Sequence, residues 1–461
     1  MFLNRKAEMG RLDACWQAAS TGTPQLVICY GRRRTGKTTL LWNFARGKPH
    51  VFHFATRQGE AVEVARFSDA IREEPSLGQR ALDGGGRLTR WEEALRYLAR
   101  LAEDQPLLVV IDEMPYLLDA APGFATAVQA VWDEVRLVGR SRLMLVLTGS
   151  ARRVIQGVLS GSGPLYGRPD VRLEVEPLGL GGARQFLPEL DGESLVEAYA
   201  ACGGYPQHLL RWDAAEPTGV NLRRLAGTSS GILLEGGAQI LHEEVAASAG
   251  YERILAALAR GANKHSTLSS EAGQRIEQPL NLLTRVGLVR AEVPVGASKG
   301  ARPLYRIDDP YLAFWFTVLY EGRGFVEATG AARIAENPRW KTHVASVFEE
   351  LARGHARSLA ESGALHAEQV GRWWSQRGAQ MEIDVAGWAD GAMQFIGEVK
   401  WSALGEQDLD RLVASLRTRA ERVGGGGSKP LLLAWAKGFP PDTPDDLQCF
   451  TVADMLASKS P

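Results

Sequence analysis

Cysteine is scarce: Cys15, Cys29, Cys202 and Cys449 are the only four in 461 residues. No two form a CxxC pair, so the sequence indicates neither a zinc site nor a disulfide framework and fits a reducing cytoplasm. Long apolar runs are lacking too. The longest, such as Leu107 to Ile111, fall far short of a membrane span. The first six residues, MFLNRK, lack the apolar core of a signal peptide. A cytoplasmic protein with no membrane partner is expected. An excess of one charge is also missing, with 53 basic and 54 acidic side chains and a formal net charge of -1. Any nucleic-acid contact must therefore come from a local patch, because no whole-chain basic field exists. Solenoid-type repeats are absent. What remains is an ordinary globular composition, 45% hydrophobic and 23% charged. The chain is too long for one core, which predicts two to four domains.

The strongest motif is in LVICYGRRRTGKTTLLWNFA. Leu26 to Tyr30 is a β-prone apolar run, and Thr39 to Ala45 has helical character. Between them, Gly31-Arg32-Arg33-Arg34-Thr35-Gly36-Lys37-Thr38 fits G-x-x-x-x-G-K-[ST] in full. Strand, loop and helix is the context this phosphate-binding motif requires. The glycines allow a backbone curl whose N–H groups face phosphates, and the following helix adds its positive N-terminal end. The loop through Thr39 is the candidate ATP site. Lys37 is placed to neutralise the β- and γ-phosphates, and the Thr38 hydroxyl to ligate Mg2+.

A second strand, Leu107 to Ile111, is wholly apolar, as in a buried parallel sheet. It ends in Asp112-Glu113. In phosphate-loop enzymes a strand-end Asp holds Mg2+, so Asp112 is the expected metal ligand and Glu113 the residue polarising the attacking water. A third strand from Leu143 ends at Thr148-Gly149-Ser150, where a polar side chain could sense the γ-phosphate. Arg152 and Arg153 follow; at least one is expected to be a solvated surface residue.

These motifs carry a resemblance. FLNRKAEMGRL (Phe2, Arg5, Glu8, Leu12), GRRRTGKTTL, IDEMPYL, LTGSARR, PLYGR (Pro164 to Arg168) and GGYPQHLL (Gly203 to Leu210) follow in order. Together they resemble the archaeal-type ATPase family within the STAND/AAA+ group of P-loop NTPases, over roughly residues 1–245. The resemblance implies a helical lid starting near Pro177 and places Arg168 near the nucleotide. The alternative for Tyr166 and Arg168 is that they fix a loop against the sheet.

Downstream, Tyr251 to Gly261, Ser266 to Ala272 and Arg275 to Val286 read as helices. Gly287 to Val293 and Leu304 to Ile307 read as strands. Three helices and a hairpin suggest a winged helix-turn-helix, a fold whose third helix can enter a DNA major groove. Lys264, His265, Arg275, Lys299 and Arg302 are its candidate phosphate contacts. Glu271 and Glu277 are interspersed, so a protein-interaction or regulatory module is the alternative. YRIDDPYLAFWFTVLY reads as a packed segment joining domains. It also resembles the start of the C-terminal extension, of formerly unknown function, that commonly follows this ATPase type.

Near the C-terminus, Trp340 to Leu359 reads as a long helix carrying Glu349 and Glu350. MEIDVAGWADGAMQFIGEVKW follows, reading as two strands. Alternation puts Glu382 with Asp384, and Glu398 with Lys400. This Asp…Glu-x-Lys pattern resembles the PD-(D/E)xK nuclease superfamily, with no proline before Asp384. The resemblance implies that Asp384 and Glu398 hold Mg2+ or Mn2+, that Lys400 assists, and that Glu349 supplies a further acid. Glu382 is the candidate fifth member. Trp373 or Trp374 could stack on DNA, though core packing is expected for at least one. Residues 424–427 read as a flexible loop before a strand at Leu431 to Trp435.

The expected class is α/β. It comprises a P-loop ATPase domain with a parallel sheet (1–175), a helical lid (176–248), a winged helix-turn-helix (249–320) and a C-terminal α/β restriction-endonuclease-like domain (321–461). The expected function is an ATP- and Mg2+-dependent ATPase controlling a DNA-binding, nuclease-like domain. A signalling or transcription-regulatory switch that binds DNA or protein without cleaving it is the alternative. The sequence leaves a homo-oligomer open.

Overall fold

The computed structural model describes residues 4–74, 77, 88–150, 152–245, 249–322, 334–375, 381–423 and 429–457. Phe2, the 424–427 loop, the last four residues and the side chain of Arg153 lie outside that description. The chain forms two compact units. One comprises 1–177, 205–207 and 240–246; the other comprises 178–204, 208–239 and 247–461.

The first unit contains α1 (Lys6–Ser20), β1 (Gln25–Tyr30), α2 (Lys37–Ala45), β2 (His50–Phe54), α3 (Glu60–Glu73), α4 (Trp91–Asp104), β3 (Leu107–Asp112), α5 (Met114–Ala120), α6 (Phe124–Val138), β4 (Leu143–Gly149), α7 (Arg152–Leu159) and β5 (Val171–Glu174). Its sheet runs β2-β3-β4-β1-β5, and every pairing is parallel. Parallel strands are covered on both faces, which explains why β3 and β4 are apolar over nearly their whole lengths. Alternate residues feed two cores. Val109, Ile111 and Leu145 pack with Trp91, Phe124 and Trp132 on one side. Val27, Cys29, Val110 and Val146 pack with Leu40, Phe44 and Leu12 on the other. The ends of β1, β3 and β4 lie side by side, with Tyr30 opposite Gly149 and Ile111 opposite Leu147. That edge is where ligands bind in open α/β sheets.

The second unit opens with α8 (Leu180–Phe186), α9 (Gly192–Cys202), α10 (Pro206–Leu209, which starts in the first unit), α11 (Thr218–Ala226) and α12 (Ile232–Val245). Residues 232–239 of α12 belong to this unit and 240–245 to the first. Three helices follow, α13 (Ala249–Ala259), α14 (His265–Ala272) and α15 (Glu277–Arg285), and then an antiparallel pair, β6 (Val289–Glu292) and β7 (Leu304–Ile307). The dense aromatic segment folds into α16 (Pro310–Phe314) and a π-helix (Trp315–Leu319), with Tyr311, Phe314, Trp315 and Phe316 buried. Asp309 caps α16 by accepting from Leu312 N–H at 2.9 Å.

A long helix α17 (Pro338–Glu361) then precedes β8 (Gln369–Trp374), β9 (Glu382–Ala389), β10 (Ala392–Ala403), α18 (Glu406–Val423), β11 (Leu431–Gly438), β12 (Leu447–Phe450) and α19 (Val452–Ala457). Asn337 caps α17 and Pro338 takes its first position, where a missing N–H costs nothing. The sheet order is β12-β11-β10-β9-β8. β8, β9 and β10 form an antiparallel meander, while β10, β11 and β12 are parallel, with α18 as the crossover. Leu409, Val413 and Leu416 of α18 pack on Ile383, Ile396 and Leu432 of this sheet.

Candidate active site

The phosphate loop is a strained turn held by glycine geometry. Gly31 has φ +151° and Gly36 +93°, while Arg34 takes the left-handed region at +69°. A Cβ on Gly31 would stand 2.2 Å from the Val175 carbonyl oxygen. Gly31→Ala is therefore expected to destabilise the fold by about 1–3 kcal/mol, read as a lower thermal midpoint together with weakened nucleotide binding.

Lys37 opens α2 and is 5% exposed. Its ammonium donates to the carbonyls of Gly31 and Arg32, each at 2.9 Å. Burial lowers its pKa, and the charges of Glu113 and Asp112 partly restore it. Thr38 Oγ1 donates to Asp112 Oδ2 at 2.6 Å. The other carboxylate oxygen of Asp112 accepts from Glu113 N–H at 2.9 Å. Burial raises the Asp112 pKa, the Thr38 hydrogen bond opposes that shift, and Glu113 adds to it. A hydroxyl and a carboxylate in contact are hard oxygen donors, and they fit Mg2+ completed by phosphate oxygens and water.

Glu113 sits in the left-handed region at φ 57°, where the chain turns from β3 into α5. Such strain in a non-glycine residue clusters at functional sites. Its two carboxylate oxygens accept from Ser150 Oγ at 3.2 and 3.0 Å. Thr148 is fully buried. Thr35 Oγ1 bonds back to the Arg32 carbonyl at 2.9 Å, and Arg5 reaches the Thr35 carbonyl at 2.8 Å, so the loop is braced from α1's start. Arg33 pairs with Glu243. Arg152 is 8% exposed and pairs with Glu174 at 2.5 Å, so it is no solvated surface arginine. Arg168 forks onto Asp133 with two bonds of 2.9 Å and donates to the Pro164 and Tyr166 carbonyls. That arrangement ties the 164–168 loop to α6.

In the second unit, Asp384 lies where β9 carries one residue more than β8 between the pairs Gly371–Ala386 and Trp373–Ile383. Such a bulge re-aims side chains. Asp384 Oδ2 accepts from Val399 N–H at 3.0 Å. Burial raises its pKa, with Glu398 as the next cause. Glu349 of α17 is pushed up to about 7, first by burial and then by the Asp384 charge. Lys400 Nζ lies 2.7 Å from Glu398 Oε1. Burial disfavours the lysine charge, but Glu398 and Asp384 outweigh it and raise the pKa. Glu349, Asp384, Glu398 and Lys400 thus share one electrostatic neighbourhood. Arg419 of α18 holds the second oxygen of Glu398. Among the described residues, no three His, Cys, Asp or Glu side chains form a ready-made metal cluster. Glu382 pairs with Arg372.

Glu350 belongs to a different network. Burial raises its pKa, but Arg306, Arg353 and Arg357 together bring it down to about 2. Arg306 of β7 lies 3.0 Å from it. Lys264, His265, Arg275, Lys299 and Arg302 are all exposed. The first half of the β6–β7 loop is committed to packing, since Val295 is buried against the C-terminal sheet and its N–H bonds Arg372 O at 3.0 Å. Trp373 packs against that same core.

Residues 2–211 match the family described as an ATPase domain predominantly from Archaea. This segment belongs to that ATPase family. Residues 315–412 match a second family, described as archaeal and bacterial proteins of unknown function. An uncharacterized protein of Methanocaldococcus jannaschii is 24% identical over 92% of this chain and 93% of its own length. An uncharacterized ATP-binding protein of the same organism is 44% identical over 48 residues, 10% of this chain and 76% of the relative. A Walker-type ATPase of Pyrococcus abyssi shares the fold, with a TM-score of 0.51 and 20% identity, over 68% of this chain and 96% of its own. The ATPase domain therefore has the phosphate-loop parallel-sheet fold. No helix among the described residues is long and apolar enough to cross a membrane.

Ser150, expected at a strand end beside the γ-phosphate, bonds Glu113. Two residues near the loop carry no sequence signal: Glu243 on Arg33, and Glu244 nearby. Glu243 and Glu244 come from α12, far along the chain, and read as an ordinary charged helix end.

Proposed function

We propose that this protein hydrolyses ATP and uses its nucleotide state to control a DNA-binding C-terminal domain with a metal-dependent, nuclease-type site. The observation that carries the reading is the grouping of Glu349, Asp384, Glu398 and Lys400 from α17, β9 and β10, downstream of an ATPase domain. We read the chain as four functional parts: ATPase domain, helical lid, winged helix-turn-helix and nuclease-like domain. The exposed Lys264, His265, Arg275, Lys299 and Arg302 support backbone contact with DNA.

At the ATP site, Lys37 moves from the loop carbonyls to the β- and γ-phosphates. Thr38 and Asp112 hold Mg2+. Glu113 polarises the attacking water once Ser150 releases it. In the C-terminal site, Asp384 and Glu398 are the ligands for Mg2+ or Mn2+, and Lys400 neutralises charge on the scissile phosphate. When bound, the metal supplies an acidified water and charge stabilisation. The oxygen donors suit such a cation, and Glu398 would hold it through the oxygens that Lys400 and Arg419 engage.

A specific observation favours a second reading. Lys400 and Arg419 already neutralise both oxygens of Glu398. A domain built that way binds DNA or protein without cutting, as part of a signalling or regulatory switch. Parallel assays separate the two. Purified protein is incubated with Mg2+ or Mn2+, with and without ATP, on single-stranded DNA, duplex DNA and RNA, and phosphate release is followed alongside nicking. Hydrolysis with nicking supports the first reading. Hydrolysis without nicking of any form sinks the nuclease and leaves the switch.

A further inference from the structure

Glu244, in the last turn of α12, is 2% exposed. It belongs to the same compact unit as the phosphate loop. One of its carboxylate oxygens has no hydrogen-bond partner among the described residues. The charged groups around it are Arg32 and Lys37 of the phosphate loop and Arg152 of α7, whose backbone N–H also bonds it. Behind those cations stand further acids: Glu174 on Arg152, and Asp112 and Glu113 near Lys37. A buried carboxylate with an unsatisfied oxygen is costly unless cations compensate it. Two of those cations, Arg32 and Lys37, belong to the loop that a triphosphate would occupy.

We propose that Glu244 is a charge gate of the nucleotide site, matching the phosphate-loop cations when the site is empty and opposing triphosphate until it takes up a proton. The proposal rests on ATP binding at this loop. The step is a protonation: solvent supplies the proton, the carboxylate becomes a carboxylic acid, and no other bond changes. Its pKa is already pushed up to about 7, by burial first and against the pull of the three cations. A bound triphosphate adds negative charge beside it and drives it higher. By linkage, ATP binding takes up a proton wherever empty Glu244 is ionised, that is, above about pH 7. Below about pH 6 it is already protonated and no longer opposes the ligand.

The test is ATP affinity in Glu244→Gln against the wild type across pH, by calorimetry. Comparing the two at each pH cancels the ligand's own titration. The variant is expected to bind ATP about five- to tenfold more tightly near pH 8 and nearly equally near pH 6. Glu244→Met, also without the charge, repeats the measurement should the glutamine variant fold poorly. Glu235→Gln, exposed in the first turn of α12, serves as a charge control and leaves affinity unchanged. Equal or weaker binding by the charge-free variants near pH 8 overturns the gate, because a carboxylate that merely positions Arg32 and Arg152 gives that result. No ATP binding by the wild type overturns the ATP-site reading and the gate together.

Discussion

Lys37→Ala lowers ATP hydrolysis by about 100-fold or more, the scale seen when one preorganised charge-stabilising donor is removed. The geometry of Lys37 shows why nothing replaces it. Its ammonium is held by two backbone carbonyls at the mouth of the loop, 2.9 Å from each. Neither bond is a salt bridge, so the cation transfers to phosphate without first breaking an ion pair. Burial disfavours its charge, while Glu113 and Asp112 nearby keep the ammonium form. Alanine removes that charge from the place where negative charge builds up in phosphoryl transfer. Arg32, Arg33 and Arg34 are near in sequence, but Arg33 is engaged by Glu243 and none reaches over the loop from the start of α2. The measurement is steady-state phosphate release, with a thermal melt to show an intact fold. A rate within about threefold of the wild type, a difference under 1 kcal/mol in barrier, would remove Lys37 from the mechanism.

On the proposed nuclease-type reading, Glu398→Gln and Lys400→Ala are each expected to lower nicking by about 100-fold or more while leaving ATP hydrolysis unchanged. The two residues act as a pair, with Lys400 Nζ 2.7 Å from Glu398 Oε1. Removing either breaks the other's charge balance as well as its own function. Arg419→Ala has the opposite sign. It frees the second oxygen of Glu398, so the Mn2+ concentration needed for half-maximal nicking falls several-fold. Gel assays with supercoiled plasmid and a metal titration read all three variants. Unchanged nicking in Glu398→Gln and Lys400→Ala would show the cluster to be a structural charge network on the central strand β10, with no part in cleavage. An Arg419→Ala variant that needs more metal would show the guanidinium to be part of the site, with no latch to release.

The chain's local order was readable in advance. The phosphate loop, the strands at Gln25–Tyr30, Leu107–Asp112 and Leu143–Gly149, and the helices α13 to α15 lie within two residues or so of where periodicity puts them. Pro177 lies at the boundary where the first unit gives way to the second. Arg152 shows the limit of such reading. It looks like any surface arginine in sequence, yet it is buried on Glu174, because β5 runs parallel to β1 and brings Glu174 opposite Tyr30. Strict alternation along β9 is broken by the bulge at Asp384 and Val385, which no residue type announces.

The sequence alone determined what depends on short range: the glycines at 31 and 36 that allow left-handed backbone, and the strand-loop-helix order around them. Tertiary structure alone decided how charges are shared. It set Arg419 on Glu398, Glu243 on Arg33 and Glu244 beside Arg32, Lys37 and Arg152. Backbone geometry is fixed by neighbours a few residues away, so it leaves a local signature. The ionisation of a buried carboxylate is fixed by desolvation and by cations brought in from other elements, and those become neighbours only when the chain is folded.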